Sequence, residues 1–324
     1  MESFKLDNFE HPVIVLEKFL ELTAQSKMVA LAILVGIEGG ATRELGSLMA
    51  ISADGEVFGS IVGGCIEAEV VVQAGEAITQ QMPKRLRYGS DSPIIDLRLP
   101  CDGSVDILIL PDLDVSKVEN WYSTLASRQP VMVGFNEYDV VDIVSAEKFS
   151  DPAGAINYMK YEPEIILRIA GTGLENVALA KLAMEAGFRV ILQSINFKDM
   201  AYFDAHNRLI FEQLKGPSSP PDCNDDRWTA FIVMLHDIEW EVSLLSQALD
   251  GNCFYIGAVG SHTSRKKRDQ ALASAGIDLA AQSRIFGPIG LVPSMRRPSM
   301  LAISILAQVI DEFYKQSKIQ NLIQ

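Results

Sequence analysis

Hydrophobic and polar residues follow one pattern up to about residue 164 and a different one after it. In the first part, the near-continuous apolar run over 28–37 has the length of a strand and indicates burial on both faces. An Ala-Asp-Gly turn at 53–55 separates two short apolar segments and predicts a hairpin. The elements predicted here are helices over 12–26 and 65–81 and strands over 28–37, 47–52, 56–62, 84–88 and 104–110. They indicate an N-terminal α+β domain over residues 1–112.

Residues 113–163 read as a helix, a strand and then a stretch rich in Pro, Gly and Asp. We interpret this region as a connecting segment between two domains. The chain contains no internal repeat and no low-complexity tract, which argues against solenoid architectures.

From residue 164 onwards, strand-like and helix-like segments alternate. The predicted strands are 164–170, 188–195, 229–235 and 253–259, and the predicted helices are 171–187, 239–249 and 262–275. Because a parallel crossover needs a helix's length of chain, this alternation specifies a parallel sheet. The predicted class is therefore α/β, in which residues 164–324 form a Rossmann-like, doubly wound parallel sheet.

A glycine turn joins the first strand of this region to its helix. Gly171 allows a tight turn, and Gly173 lets backbone N–H groups approach a phosphate at the helix N-terminus. The third glycine of a dinucleotide fingerprint is replaced by Asn176, and the segment 193–196 lacks the ribose-binding carboxylate. The turn favours a phosphate-bearing ligand over ordinary NAD binding, with a purely structural turn as the alternative.

Three further features suggest contacts with an anionic ligand. Gly260 and Ser261 form a second turn into a helix, just before a basic run at 265–268 that is otherwise a solvated helix face. His236 follows the strand 229–235, at the sheet edge where ligands bind. Arg43, in a glycine-rich loop, suits a phosphate or oxoanion, although a salt bridge to a neighbouring glutamate is an equal alternative.

Composition and charge narrow the function classes. The 324 residues carry a formal net charge of −14, which argues against a general nucleic-acid binder. The charge is uneven, since residues 1–112 hold 17 acidic and 8 basic side chains and residues 164–324 hold 17 and 16. No apolar run reaches 18 residues and no basic, signal-like start is present, so we expect a cytoplasmic protein without membrane association. Motifs of hydrolases, zinc proteases and P-loop NTPases are absent from the sequence.

An ordered set of motifs resembles the XdhC/CoxI family, whose members are accessory factors of xanthine dehydrogenase and related molybdenum hydroxylases. The segments that carry the likeness are GATRELGS, GEVFGSIVGGCIEAEV, PCDGSVDILILP, GTGLENVALAKLAMEAGFRVILQ, FIVMLHD, YIGAVGSHTSRKKR, RIFGPIGL and AISILAQVI. The resemblance implies a non-catalytic chaperone that binds molybdenum cofactor and delivers it, after sulfuration, to a hydroxylase apoenzyme. A cysteine desulfurase is a further implied partner, and the apolar segments are compatible with a homodimer.

The sequence departs from the family pattern at several positions. Ser194 stands where an Asp is usual, Asn196 where an Arg is common, and Phe286 where a His is common. An NAD(P)-dependent oxidoreductase and a Rossmann protein that serves as a ligand sensor or scaffold therefore remain the alternative functions.

Two cysteines are the candidates for contact with molybdenum. Cys65 follows Gly63 and Gly64 at a predicted helix start, where helix amides stabilise a thiolate. Cys101 lies in a turn, and both thiols are soft ligands. The other two cysteines, Cys223 and Cys253, are interpreted as structural, and four cysteines without a CxxC pair do not form a disulfide framework or a zinc knuckle.

Overall fold

A computed structural model of the chain describes residues 11–39, 43–62, 66–89, 103–136, 138–146, 149, 157–204, 208–292 and 294–323. The chain divides into two compact units, Met1–Glu164 and Ile165–Gln324. No helix within the described ranges is long and apolar enough to span a membrane.

The first unit contains a five-stranded antiparallel sheet in the order β3-β2-β1-β5-β4. Its elements are α1 (Pro12–Ala24), β1 (Val29–Glu38), β2 (Leu48–Ser52), β3 (Val57–Gly59), α2 (Glu67–Gln80), β4 (Lys84–Gly89) and β5 (Ser104–Leu110). Strand β1 is buried on both faces, as its apolar run predicts. Because side chains alternate along a strand, Leu31 and Ile33 pack in a core with α1, whereas Ala32 and Leu34 pack in a second core with α2.

Residues 113–163 fold as part of the first unit and do not form a simple connection. They form α3 (Val115–Ala126), β6 (Val131–Phe135), β7 (Val140–Ser145) and β8 (Asn157–Tyr161), with the strands paired antiparallel in the order β7-β6-β8. The indole of Trp121 packs edge-on against Phe135 and Tyr161, with ring centroids 5.9 and 4.6 Å apart. These side chains belong to the same core as α1 and β1. Sequence analysis missed β7 and β8 because both are short and carry polar residues at alternate positions.

The second unit is a six-stranded parallel sheet in the order β11-β10-β9-β12-β13-β14. Its elements are β9 (Ile166–Gly171), α4 (Gly173–Glu185), β10 (Arg189–Ser194), a 3₁₀ helix (Phe197–Tyr202), β11 (Leu209–Gln213), β12 (Thr229–Val233), α5 (Ile238–Asp250), β13 (Tyr255–Ala258), α6 (His262–Ser274), α7 (Leu279–Gln282), β14 (Ile285–Phe286) and α8 (Pro298–Ile323). The strand order reverses between β9 and β12, which is the Rossmann arrangement. The predicted α/β class is confirmed.

Helices cover both faces of this sheet. Apolar residues of α4 and α8 pack on one face, and those of α5 and α6 pack on the other. Phe286 stacks on Tyr255, with ring centroids 4.8 Å apart and planes at 13°. An aromatic ring at position 286 therefore has a packing role between β13 and β14.

Arg168, in the central strand β9, is fully buried, and its charge is compensated by Asp225. Its guanidinium donates two hydrogen bonds to the Asp225 carboxylate and one to the side-chain oxygen of Gln193, 3.2 Å away. Its Cζ atom lies 3.8 Å from the centre of the Phe231 ring. This network attaches the chain between β11 and β12 to the face of the sheet.

We expect Asp225→Ala to destabilise the second unit by about 3–5 kcal/mol, because it leaves the Arg168 charge buried without its partner. The double substitution Arg168→Met with Asp225→Leu removes both charges and should recover most of that loss. Hydrogen exchange of peptides from β9 and β12, measured in denaturant, reports the free energy of unfolding of this unit. A single variant as stable as the double variant would contradict the assigned role of the pair.

Candidate functional site

The first glycine turn is closely packed at the carboxyl end of β9. A Cβ atom on Gly171 would lie 2.6 Å from the Asn176 Oδ1 atom and 3.0 Å from the Met234 Cβ atom. Gly173 adopts a φ of +81°, in the left-handed region that favours glycine. Both glycines are therefore required by local geometry, and the turn lies beside the end of β12, at the reversal of strand order.

A carboxylate that sequence analysis missed lies at this turn. The Oδ2 atom of Asp199 accepts hydrogen bonds from the Gly173 N–H at 3.1 Å, the Thr172 hydroxyl at 3.2 Å and the Ser194 hydroxyl at 2.7 Å. Asp199 is 2% exposed. The Gly173 N–H, which we expected to face a ligand phosphate, is therefore bonded to a carboxylate of the protein.

The position of Asp199 depends on the 3₁₀ helix after β10. The Asn196 side chain caps this helix by accepting a hydrogen bond from the Lys198 N–H at 3.1 Å. The helix brings Asp199 back to Ser194, five residues earlier in the chain. The search for a carboxylate over 193–196 failed because the acidic residue comes from this later helix, and the signal available in the sequence was the helix-capping pattern Asn-Phe-Lys-Asp.

The second turn, at Gly260 and Ser261, is open by comparison. Ser261 caps α6 by accepting a hydrogen bond from the Ser264 N–H at 3.2 Å, and Ser261 is exposed. Gly260 has a φ of +133°. Among the described residues, no carboxylate is hydrogen-bonded to this turn.

Two of the four cations near this turn have partners within the protein. Arg268 is 1% exposed and donates to Glu241 Oε2 at 2.6 Å and to the Val259 carbonyl oxygen at 2.6 Å. Arg265 donates to the Gly287 carbonyl oxygen at 2.6 Å. Lys266 and Lys267 are exposed. The basic run is thus divided between structural arginines and exposed lysines, which corrects the interpretation of all four as one anion-attracting cluster.

His236 is exposed after the end of β12, as the sequence predicted for its place in the chain. The next residue, Asp237, caps α5 by accepting hydrogen bonds from the N–H groups of Glu239 and Trp240 at 2.9 and 3.4 Å. Met234, two residues before His236, contacts the glycine turn. Gly171, Gly173 and His236 therefore lie near the carboxyl ends of two adjacent strands.

In the first unit, Gly63, Gly64, Cys65 and Cys101 lie outside the described residues. The residues that flank Cys65 are tied together by Glu67. Its Oε1 atom accepts hydrogen bonds from the Ser60 hydroxyl at 2.5 Å and from the N–H groups of Ile61 and Val62 at 3.2 and 3.4 Å. Arg43 donates to the Ser60 hydroxyl through Nε and Nη2, both at 3.2 Å, so the predicted cation contacts the segment that leads to Cys65.

The ends of the segment that contains Cys101 are also held at the sheet. Gly89 and Ser104 pair with each other, and Ser104 pairs with Glu38 at the end of β1. Arg87 forms an ion pair with Glu38 and donates to the Ser104 hydroxyl at 2.8 Å. Hydrogen bonds from Arg87 and from Ser104 lower the pKa of Glu38. The segment carrying Cys101 therefore starts and ends at the sheet edge where β1 ends.

Tyr88 provides an unpaired polar group beneath the start of α2. Its hydroxyl is buried without a hydrogen-bond partner, and its ring packs in the core that includes Ile61, Val62 and Ile66. Burial, followed by the negative charge of Glu69, raises the pKa of Tyr88 to about 12. The hydroxyl consequently stays protonated at neutral pH and is a hydrogen-bond donor.

The two structural cysteines lie beside the buried ion pair. The Cys223 thiol donates to Asp225 Oδ2 at 3.6 Å, and Cys253 is buried. Burial raises the pKa of both thiols, for Cys223 to about 11. Within the described ranges, no three His, Cys, Asp or Glu side chains are grouped closely enough to hold a metal ion.

The fold and its turns define an α+β unit followed by a Rossmann unit. Residues 22–89 match the XdhC and CoxI family, and residues 167–309 match the XdhC Rossmann domain. The chain belongs to the XdhC and CoxI family, which confirms the resemblance carried by its motifs.

Individual relatives match along almost the whole chain. The molybdenum cofactor insertion chaperone PaoD of Escherichia coli (strain K12) is 29% identical over 292 residues, which cover 90% of this chain and 85% of the relative. A probable xanthine dehydrogenase subunit of Bacillus subtilis (strain 168) is 23% identical, with 89% of this chain and 94% of the relative covered. A crystal structure of a xanthine dehydrogenase from Bacillus halodurans has the same fold, with a TM-score of 0.75 at 20% identity over 93% of this chain and 96% of that one.

We expect Cys223 to resist alkylation by iodoacetamide in the native protein at pH 8. With a pKa of about 11, roughly one thiol in a thousand is ionised at that pH, and the thiolate is the reactive form. Labelling should rise about tenfold per pH unit towards pH 11, as followed by mass spectrometry of the Cys223 peptide. The urea-unfolded chain is the control, and equal labelling rates at pH 8 in the two states would contradict the raised pKa.

Proposed function

We propose that this chain is an accessory chaperone that binds molybdenum cofactor and delivers it to a xanthine dehydrogenase-type molybdenum hydroxylase. The observation that carries the proposal is the similarity over 90% of the chain to a molybdenum cofactor insertion chaperone. It includes both units, so the proposed function uses the whole molecule and not the Rossmann unit alone.

The metal end of the cofactor is assigned to the first unit. Cys65 and Cys101 are the proposed contacts, since thiolates are soft ligands that suit molybdenum. Support comes from the anchoring of the two cysteine-bearing segments, one by Glu67 and Arg43 and the other by Arg87 at the end of β1. The unpaired Tyr88 hydroxyl adds a buried donor beside the first of these segments.

The phosphate end of the cofactor fits the second glycine turn better than the first. At the first turn, the Asp199 carboxylate occupies the Gly173 N–H and would repel a phosphate. At the second turn, the Ser261 cap leaves the start of α6 exposed, and the exposed Lys266 and Lys267 lie in the following turn. Gly260 and Ser261 are therefore the proposed phosphate contacts, and Arg268 supports the turn from within the protein.

The protein's own residues would bind and protect the cofactor without changing it. When bound, the cofactor carries the redox-active metal centre that the recipient enzyme needs. Thiols at the metal end and amides at the phosphate end release their ligand by simple dissociation, which suits transfer to an apoenzyme. A cysteine desulfurase as a second partner, a homodimer and a cytoplasmic location remain parts of the proposal.

The cofactor assignment is tested by the pterin content of protein purified from cells that make molybdenum cofactor. We expect the native chain to retain pterin, detected as its fluorescent oxidation product, and Cys65→Ala with Cys101→Ala to lose most of it. Cys223→Ala is the matched control, because Cys223 is a thiol held by Asp225 in the other unit.

The delivery step is tested by the activity of a co-expressed hydroxylase. The double cysteine variant should lower that activity strongly, whereas Cys223→Ala should leave it unchanged. A native chain free of pterin, together with full hydroxylase activity beside the double variant, would reject the proposed function.

A further inference from the structure

We infer that the second unit binds a ribonucleotide at its first glycine turn, where Asp199 accepts hydrogen bonds from the ribose hydroxyls. This site goes beyond the proposed chaperone function and does not depend on it. The ligand class is a ribonucleotide with a free 2′,3′-diol.

The first argument is the state of the Asp199 carboxylate. Its Oδ2 atom is held by three neutral donors, the Gly173 N–H and the hydroxyls of Thr172 and Ser194. In the described part of the chain, no cation pairs with Asp199 and no hydrogen bond reaches its Oδ1 atom. A buried carboxylate with an unused oxygen requires additional donors, and a vicinal diol supplies two without introducing a charge.

The second argument is the place of this carboxylate in the fold. It lies at the carboxyl end of β10, next to the turn that joins β9 to α4. In Rossmann folds, a carboxylate at this position bonds the ribose of a bound nucleotide. Here the strand itself ends in Ser194, and the 3₁₀ helix brings the carboxylate to the same place from further along the chain.

A third, independent observation is the buried amide of Asn176. Its side chain is fully buried, and neither its Oδ1 nor its Nδ2 atom has a hydrogen-bond partner. It lies directly behind the turn, with Oδ1 2.6 Å from the position of a Cβ atom on Gly171. Buried amides without any partner are rare in folded proteins, and they mark places where a polar partner is missing.

The surroundings of the carboxylate suit a nucleobase. Leu174, next to Gly173, is 59% exposed, and Phe197, two residues before Asp199, is 60% exposed. Ile195 is also exposed, and the Phe197 ring is held edge-on by Phe211 at 5.7 Å. Apolar side chains around a few fixed polar groups are typical of small-molecule sites. They contact any base by its faces, so we expect weak selection among bases.

The same charges set the specificity at the sugar. Asp199 and Glu175, whose Oε2 atom lies 4.0 Å from the position of a Cβ atom on Gly173, make the turn acidic. A phosphate on the ribose 2′-oxygen would meet this negative charge. The site should therefore accept unmodified ribose and reject 2′-phosphorylated ribose.

The inference is tested by isothermal titration calorimetry of the full chain. We expect saturable binding of both ADP and CDP, at least about tenfold weaker binding of 2′-deoxy-ADP, and no binding of NADP⁺. Asp199→Asn keeps an oxygen acceptor for the Gly173 N–H but loses the charge, so ADP affinity should fall at least about tenfold. Asp204→Asn is the matched control, because it makes the same change at a nearby exposed aspartate and should bind as the native chain does.

Three results would overturn the inference: no saturable heat with either ADP or CDP, equal affinity for ADP and its 2′-deoxy form, or unchanged or tighter ADP binding by Asp199→Asn. The last result would mean that Asp199 is an internal anion that fills the phosphate position. An unchanged thermal midpoint of Asp199→Asn confirms that a loss of binding does not come from unfolding. Pterin content and hydroxylase activity report the proposed function separately, so either idea can fail alone.

Discussion

Arg168 is buried in the central strand of a parallel sheet, and the second unit depends on how its charge is compensated. Asp225 bonds the guanidinium twice, Gln193 and Gln247 accept from its remaining nitrogen, and Phe231 lies against its plane. The network joins β9 to β10, to α5 and to the chain before β12. Since Gln193 precedes Ser194 and Arg168 lies three residues before Gly171, the same network braces the strands that carry the first glycine turn.

Compensation inside the fold also explains the charge distribution. The second unit is nearly neutral because its cations and anions are close in number, and two arginines, Arg168 and Arg268, form fully buried pairs with Asp225 and Glu241. Near-neutrality there does not mean a surplus of free cations for a ligand. In the acidic first unit, Arg87 pairs with carboxylates where the segment bearing Cys101 meets the sheet.

The two glycine turns look alike in sequence but differ in electrostatics. The first has its N–H bonded to Asp199 and therefore suits ligand hydroxyl groups. The second is capped by the neutral Ser261 and therefore suits a phosphate. A domain with both can hold a sugar at one strand end and an anion at another, since β9 and β13 are separated in the sheet only by β12.

Periodicity alone was enough to predict β1, the hairpin, α2 and the alternating elements of the second unit, because burial imposes those patterns on the residues themselves. The ordered motifs, GTGLEN and GSHTSRKKR among them, were enough to indicate the family. The tertiary structure decided the rest. Only folding shows that 113–163 joins the first core through Trp121, that Arg268 is turned inward to Glu241, and that Asp199 reaches a turn 26 residues earlier. Such pairings are set by the distance between side chains in space, which residue spacing along the chain does not encode.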